Sequence, residues 1–496
     1  MTVPAKDFGN QGFRLGLWVV ILGTLIGLAV WAPVLTFGMP GIRIFLWTLA
    51  VALPFGAIYS LRQGRLERAL GIIAPGALIV IGPLMAFLSL VAHAASQELF
   101  LWTCIADALC LILLWVYARR KGPGLWIALP LLWVAVHMVA ASSVLYQLYR
   151  LPAAGYCEAL AEDEAVFRAS KGHGAGLAHA SLFFGDSTHV AATFKVDRDM
   201  LLAGLGEGEG NSIAVFPLST LKEGGQAIPS PVKLEEGEMP QFMLYDSKER
   251  LVFTLTSAID GKHRLGIVER PTESPFKVDH WIPLPNTFEP NAILEDEGHY
   301  IVFALHAEVL KVNMETRELV DHWVRTDSDW LKGRVVLSMR PGFEGKTYLA
   351  TLGFNVVEHN IRTRENRKLR IPWGGAGGVL RLLESKGEIV VTDMVFHNLI
   401  FIDRETLEIK RVKELDFGPR ALAWDPEREI LYVGEYIEGR VHAFNYSDLS
   451  SAGPSLELGE NLRSFSYDPR SRSFLASSKC GLMGVDVYQA FGESPP

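Results

Sequence analysis

The sequence predicts a chain of two parts, a bundle of five membrane-spanning α-helices followed by an all-β propeller of seven blades. Three observations support this division. Five long apolar runs lie before residue 150, a strand-rich repeat of 41 to 50 residues fills most of the remainder, and the net charge changes sign between the two parts.

The apolar runs predict the helices of the first part. A helix needs about 20 such residues to cross the hydrocarbon core of a bilayer. The first run is too long for the apolar region of a signal peptide and no A-x-A cleavage site follows it, so we expect it to remain as an anchor. The five runs are Leu15 to Phe37, Ile44 to Leu61, Ala69 to Ala92, Leu99 to Ala118 and Leu125 to Tyr149.

Basic residues in the short loops predict the orientation. Eight Lys and Arg residues fall on one side of the five spans, and only Arg43 and Arg150 fall on the other. Lys and Arg are retained on the cytoplasmic side of a membrane. We therefore expect the N-terminus in the cytoplasm and residues 151–496 outside it, in the periplasm if the cell is a Gram-negative bacterium.

Charge excludes one class of partner. Residues 1–150 carry a net charge of +6 and residues 151–496 carry −14. Nucleic acid and anionic lipid head groups need a basic protein surface. We expect no nucleic-acid partner; the expected partners are the lipid bilayer around the helices and other membrane or periplasmic proteins.

A repeat predicts the propeller. Around Asp425 the order is strand, Asp-Pro turn, strand, loop, strand, and such units begin near Ala192, Phe242, Ala292, Val336, Leu380, Ala421 and Ser464. This spacing is typical of propeller blades, and two stacked β-sandwiches are the alternative. Most units have a fourth, outer strand, but none follows Val487, so we expect Glu164 to Ala169 to supply it and close the ring.

The predicted domains follow from these boundaries. They are residues 1–150 for the five spans, 151–190 for a connector with the closing strand, 190–490 for the propeller and 491–496 for a tail.

Two of the units resemble a known repeat. Asp425-Pro426 to Leu431-Tyr432-Val433, then Gly439, Val441 and Phe444, is similar to the repeat of YVTN and NHL-type propellers. Val390-Val391-Thr392-Asp393, followed by Asn398 to Asp403, is similar to it as well. The resemblance implies a propeller fold. That family contains binding scaffolds, lyases and lactonases, so the resemblance implies no single activity.

Polar residues at equivalent loops predict a candidate binding site. The loop before the inner strand and the loop between the second and third strands open on one face, because successive strands are antiparallel. The eight residues are either solvated loop ends or a polar funnel that binds a ligand or partner at the mouth of the central channel. They are Gln241, Asn291, Arg420 and Arg463 at the first loop, and His306, Asp393, His397 and Glu435 at the second.

Two of these residues carry a rival interpretation. Asp393 and Glu435 offer the hard oxygen ligands that a divalent cation prefers. A cation there would make the site catalytic in the manner of a lactonase. No other cofactor is predicted.

Two ionisable residues lie inside the predicted membrane part. Asp107 and His137 fall at the centres of spans four and five, at nearly equal depth on adjacent antiparallel helices. Ionisable groups at that depth are costly, and they are usually paired or functional. The two residues form either a neutral hydrogen-bonded lock between helices or a proton or quinone site.

The cysteines predict a disulfide. Cys157 and Cys480 both lie in the part expected outside the cytoplasm, where disulfides persist. If Glu164 to Ala169 closes the ring, Cys157 approaches the last blade, which holds Cys480. We therefore expect these two residues to be bonded.

No sequence motif points to catalysis. The G-x-S-x-G, H-E-x-x-H, Walker A and C-x-x-C patterns are all absent from the sequence. We expect a membrane-anchored binding module, which could be a subunit of a membrane complex. The alternative is a propeller enzyme, either lactonase-like or lyase-like, or a dehydrogenase similar to membrane-bound quinoprotein glucose dehydrogenases, which the layout of five spans and an outer propeller resembles.

The orientation can be tested with fusions. A reporter that is active only in the periplasm should work when fused after Pro496 and fail when fused after Arg65, because the basic loops stay in the cytoplasm. Activity of the two fusions in whole cells is the measurement. The reverse pattern would show that the propeller faces the cytoplasm.

Overall fold

Seven antiparallel sheets of four strands each form the blades of a propeller. The five predicted spans, with Asp107 and His137, lie outside the described residues except for Ile105. Within the described residues, no helix is long and apolar enough to cross a bilayer. The computed structural model describes residues 105, 155–160, 166–168, 177–185, 188–195, 212–219, 232–234, 238–257, 262–273, 276–285, 290–304, 307–325, 336–342, 345–351, 355–371, 377–394 and 396–491.

The first three blades occupy the chain up to residue 324. Blade 1 consists of β2 (Leu177–Phe183), β3 (His189–Lys195), β4 (Ser212–Pro217) and β5 (Val232–Lys233); blade 2 of β6 (Glu238–Tyr245), β7 (Leu251–Ser257), β8 (His263–Val268) and β9 (His280–Leu284); and blade 3 of β10 (Pro290–Asp296), β11 (His299–Ala304), β12 (Glu308–Asn313) and β13 (Leu319–Val324).

The next three blades repeat the same order. Blade 4 consists of β14 (Val336–Pro341), β15 (Lys346–Thr351), β16 (Asn355–Asn360) and β17 (Asn366–Arg370); blade 5 of β18 (Gly377–Leu383), β19 (Glu388–Asp393), β20 (Asn398–Asp403) and β21 (Ile409–Glu414); and blade 6 of β22 (Pro419–Asp425), β23 (Ile430–Glu435), β24 (Arg440–Asn445) and β25 (Leu456–Glu457). A short 3-10 turn, Glu384–Lys386, follows β18.

Blade 7 combines the two ends of the described chain. It consists of β26 (Ser464–Asp468), β27 (Ser473–Ser478), β28 (Gly481–Asp486) and, as its outer strand, β1 (Val166–Arg168). The antiparallel pairing places Val166 opposite Val485 and Arg168 opposite Met483. β1 lies within the segment that the sequence assigned to this role, Glu164 to Ala169. It covers the edge of β28 that would otherwise be unpaired.

The first strands of the blades form the inner ring. Each contacts the first strand of the next blade, and β26 contacts β2, so the ring is closed.

Blade-to-blade contact also explains where the hydrophobic core lies. Seven clusters of buried side chains in the described residues each fill one junction between neighbouring blades.

Burial on both faces explains the strand sequences. All six residues of β19 and all six of β27 are buried, because a second strand is packed between two neighbouring sheets. The outer strand β21 alternates between partly buried and exposed residues, since its rim side faces water. Second strands therefore read as continuous apolar runs and outer strands read as alternating ones.

A polar turn repeats between the third and fourth strands of blades 3, 4 and 5. The side chains of Asn313, Asn360 and Asp403 each accept hydrogen bonds from the backbone N–H groups two and three residues later. A Thr follows each of them at the third position, and the fourth residue has a positive φ of 58° to 63°. Asn and Asp favour such turns because their side chains replace a backbone acceptor.

The first blade begins earlier than the sequence suggested. The predicted unit start near Ala192 lies in the second strand of blade 1, and the inner strand is Leu177–Phe183. The propeller therefore begins before residue 190. The small residues of Leu177–Phe183, with Ala178, Ala180 and Ser181, gave no apolar run that marked an inner strand.

The predicted disulfide is confirmed. Cys157 lies in α1 (Tyr156–Leu160) and is bonded to Cys480, with 5.4 Å between the two Cα atoms. Both cysteines are buried in the cluster between blades 6 and 7, which also holds Val487 and Phe491 of α2 (Val487–Phe491). The bond joins residues 323 positions apart in the sequence. It fixes the segment that leads to β1 against the blade that β1 completes.

Loss of this disulfide should destabilise the ring. We expect Cys157→Ser and Cys480→Ser each to lower the free energy of unfolding by about 2 to 4 kcal/mol, because the unfolded chain regains the entropy that the cross-link removes. Denaturant unfolding of the purified chain measures the effect. The double variant should match the single ones, and additive losses would contradict this reading.

Candidate functional site

The propeller has two faces with different loops. We name as the upper face the side that carries the connections between blades and the loops between second and third strands. The lower face carries the other two sets of turns. On the upper face the two kinds of loop are joined by backbone hydrogen bonds: Leu415 N–H donates to His397 O, Tyr436 N–H to Gly418 O, and Leu462 N–H to Tyr436 O.

One close approach on the upper face requires glycine. Gly439 has a φ of +71°, and a Cβ at this position would collide with the backbone of Gly459. Leu458 N–H donates to Gly439 O across the same contact. The loop of blade 6 is thereby fixed against the connection to blade 7.

Six of the seven inner strands are bulged near the end where they begin. Shifts of register occur close to the start of β2, β6, β10, β14, β18 and β22. A β-bulge inserts an extra residue, bends the strand and re-aims a side chain. Gln241, Asn291 and Arg420, three of the predicted site residues, lie at these bulges.

Two of the bulges are held by a buried threonine. Phe242 N–H donates to the Thr254 hydroxyl at 3.0 Å, and Val379 N–H donates to the Thr392 hydroxyl at 2.8 Å. Both threonines lie on second strands and are fully buried. Their hydroxyls replace the ladder partner that a bulged N–H lacks, so the irregularity is built into the blade.

Two arginines lie close together at the upper mouth of the channel. Burial lowers the pKa of Arg420, and the positive charge of Arg463 lowers it further, whereas Tyr436 opposes the shift. The Arg420 guanidinium lies 6.0 Å from the centre of the Tyr436 ring. The backbone N–H of Arg463 donates to Ser477 O. The pair is a partly desolvated positive centre.

Three other predicted residues have partners within the propeller. Glu435 lies 3.6 Å from His442 Nε2 and is largely buried. Gln241 Nε2 donates to the Thr256 hydroxyl at 3.1 Å. Asn291 is partly buried on its bulge. These residues lie toward the same mouth as the arginine pair.

Asp393 and His397 do not line an open mouth. Each is only 2% exposed. The Asp393 carboxylate accepts a hydrogen bond from Phe396 N–H, and His397 has a φ of +56°, so both residues shape the loop between β19 and β20. Sequence position gave the loop correctly, but it could not show that these side chains turn inward.

The divalent-cation interpretation requires a cluster of side chains that could hold the ion. Among the described residues, no three His, Cys, Asp or Glu side chains are grouped as a metal site requires. His306, the remaining predicted site residue, lies outside the described residues.

One ion pair on the upper face was not predicted. Lys479 is fully buried, and its ammonium lies 3.3 Å from Glu460, whose side chain is 18% exposed. Lys479 N–H also donates to Glu460 O. The sequence signal for this ion pair was Lys479 itself, a charged residue between a run of small residues and Cys480.

A cavity opens on the lower face. Its volume is about 420 Å³, and it spans the ends of the inner strands of blades 4 to 7. The strongest sequence signal for it was the presence of Arg340 and Arg381 within otherwise apolar inner strands. Its lining includes Arg340, Arg381, Glu384, Trp424 and Tyr467.

No protein-family model matches this sequence, and no curated protein matches it either. The fold and the geometry of the two mouths are therefore the basis for the functional assignment.

Removing one charge from the Lys479–Glu460 ion pair and one from the arginine pair should affect the free energy of unfolding differently. Glu460→Gln removes a carboxylate from beside a buried ammonium and should lower the free energy of unfolding by about 3 kcal/mol. Arg420→Gln removes a desolvated charge next to Arg463, so it should not lower that free energy. Denaturant unfolding of both variants is the measurement, and a large loss in Arg420→Gln would make that arginine structural.

Proposed function

We propose that this chain is a membrane-anchored, extracytoplasmic β-propeller that binds a protein or ligand at the upper mouth of its channel. The observation that carries the proposal is the arginine pair, Arg420 and Arg463, held at that mouth by a bulged strand and a hydrogen-bonded loop. Arg is enriched at interfaces and binds carboxylates through two parallel hydrogen bonds. The partner group is therefore acidic.

The disulfide supports the extracytoplasmic location. Disulfides persist in oxidising compartments and are rare in the cytosol. The Cys157–Cys480 bond joins the segment after the predicted spans to the last blade. That arrangement agrees with a chain whose spans anchor it and whose propeller lies on the outer side of the membrane.

An exposed apolar side chain lies in a loop that is hydrogen-bonded to the connection before Arg420. Phe396 is 41% exposed in the loop between β19 and β20. The same loop is hydrogen-bonded, through His397, to the connection that leads to Arg420. An exposed aromatic ring near an arginine is a common centre of protein recognition. This favours binding of an acidic protein segment.

The repeat type is part of the same proposal. The blades of this chain are of the YVTN or NHL type, and the support comes from blade 6. There the Asp425 side chain accepts hydrogen bonds from Glu427 N–H and Arg428 N–H, as the Asp-Pro turn of that repeat implies.

Site-specific cross-linking tests the recognition surface. A photo-reactive amino acid at Phe396 of the full chain, in native membranes, should give a discrete cross-linked product. Arg420→Ala and Arg463→Ala should reduce that product about tenfold, the cost of a charged hydrogen bond, without lowering the melting temperature.

Two controls make the experiment specific. The same probe at Val320, which is 55% exposed on the outer strand of blade 3, should give no such product, and Arg270→Ala should leave the product from position 396 unchanged. Equal cross-linking from both positions, or no effect of the arginine variants, would refute the proposal. A stoichiometric divalent cation that is lost in Asp393→Ala would favour the enzyme alternative.

A further inference from the structure

The lower mouth of the channel contains a second pair of arginines. Arg340 lies near the end of β14, and Arg381 lies in the second half of β18, so neighbouring blades bring both guanidinium groups to one cavity. Burial and the charge of Arg381 together lower the pKa of Arg340 to about 9. Both side chains remain charged at neutral pH.

The described residues provide little compensation for these charges. Burial lowers the pKa of Arg381, and only Glu384 opposes the shift. Glu384 is exposed at the rim, where water screens its charge. Within the described part of the chain, neither arginine is in an ion pair, and the hydrogen bond that Arg340 donates goes to the adjacent carbonyl of Met339.

Two buried donors at the cavity also lack acceptors. Arg340 Nε and Trp424 Nε1 are both shielded from water, and neither donates a hydrogen bond. Trp424 is 6% exposed and lies against Tyr446 with its ring edge-on. Buried donors in proteins are nearly always bonded, so each such exception needs an explanation. Both residues line the cavity, so an acceptor bound there would be a partner that the described residues do not supply.

Most of the remaining lining is apolar. Three of the lining residues are prolines, whose rings carry no N–H group: Pro341, Pro426 and Pro469. The aromatic rings of Trp424 and Tyr467 add further apolar surface. Burial and the neighbouring Asp425 carboxylate raise the pKa of the Tyr467 hydroxyl, so it stays protonated. The volume of about 420 Å³ falls within the usual range for small-molecule sites.

We propose that the lower mouth is a binding site for a small organic anion. Its carboxylate or phosphate group accepts hydrogen bonds from Arg340, Arg381 and Trp424, and its apolar body lies against the prolines and aromatic rings. Guanidinium groups bind both kinds of acid in a fork geometry. The site is separate from the upper-mouth recognition surface, so neither proposal rests on the other.

Calorimetry on the purified full chain tests the site. Benzoate and phenyl phosphate are the probes, and benzamide is the neutral match for benzoate. We expect at least one anion to bind and benzamide not to bind. Arg340→Gln and Arg381→Gln should each weaken binding about tenfold or more, as expected for a lost charged hydrogen bond. Arg270→Gln, an exposed arginine outside the cavity, should bind as the parent does.

Thermal unfolding without the probes separates binding from structure. Because Arg340 and Arg381 repel each other, Arg381→Gln should melt at the same temperature as the parent or higher. Trp424→Phe keeps an aromatic ring and removes the N–H, and it should weaken anion binding severalfold with little change in melting. Absence of binding for both anions, binding unaffected by the two arginine variants, or a marked fall in melting temperature for Arg381→Gln would overturn the proposal.

Discussion

The propeller depends on one constraint, that every blade must be covered on both of its faces. The side chains of second strands such as β19 and β27 point alternately into the two neighbouring junctions, and all of them are buried. A fully buried Leu, Ile or Phe contributes roughly 1.5 to 3 kcal/mol relative to an exposed one. An uncovered blade face would lose several of these contributions at once. The ring must therefore close.

The ring closes at blade 7. Its outer strand comes from residues 166–168, so its sheet holds the first and last described strands of the propeller. The Cys157–Cys480 bond lies at the same junction, together with Tyr156, whose hydroxyl donates to Glu457 of blade 6. Covalent, hydrogen-bonding and apolar contacts thus converge where the ring is held together by distant parts of the chain.

The channel mouths show a different balance from the junctions. The junctions are filled by apolar residues, whereas each mouth carries two arginines, and burial lowers the pKa of Arg340, Arg381 and Arg420. Charged groups that are shielded from water are costly to a fold. Arg340, Arg381 and Arg420 lie on inner strands at the two mouths, and these costly charges are the physical reason for treating both mouths as binding sites.

The sequence alone determined the blade count and the order of strands, because these depend on local signals that recur along the chain, and the disulfide followed from the closing strand that this order required. Turn residues such as Asp425-Pro426 mark strand ends, and apolar runs such as those of β19 and β23 mark strands buried on both faces. The weak pattern of Leu177–Phe183 concealed the first inner strand, since small residues carry little periodic signal. The tertiary structure alone decided which polar residues are accessible. Asp393 and Arg420 come from the two different sets of loops that open on one face, yet Asp393 is buried and Arg420 lies on a bulge beside Arg463. It also brought Arg340, Arg381 and Trp424 from three blades to one cavity, and such convergence depends on how the side chains of neighbouring blades pack together, which no local pattern records.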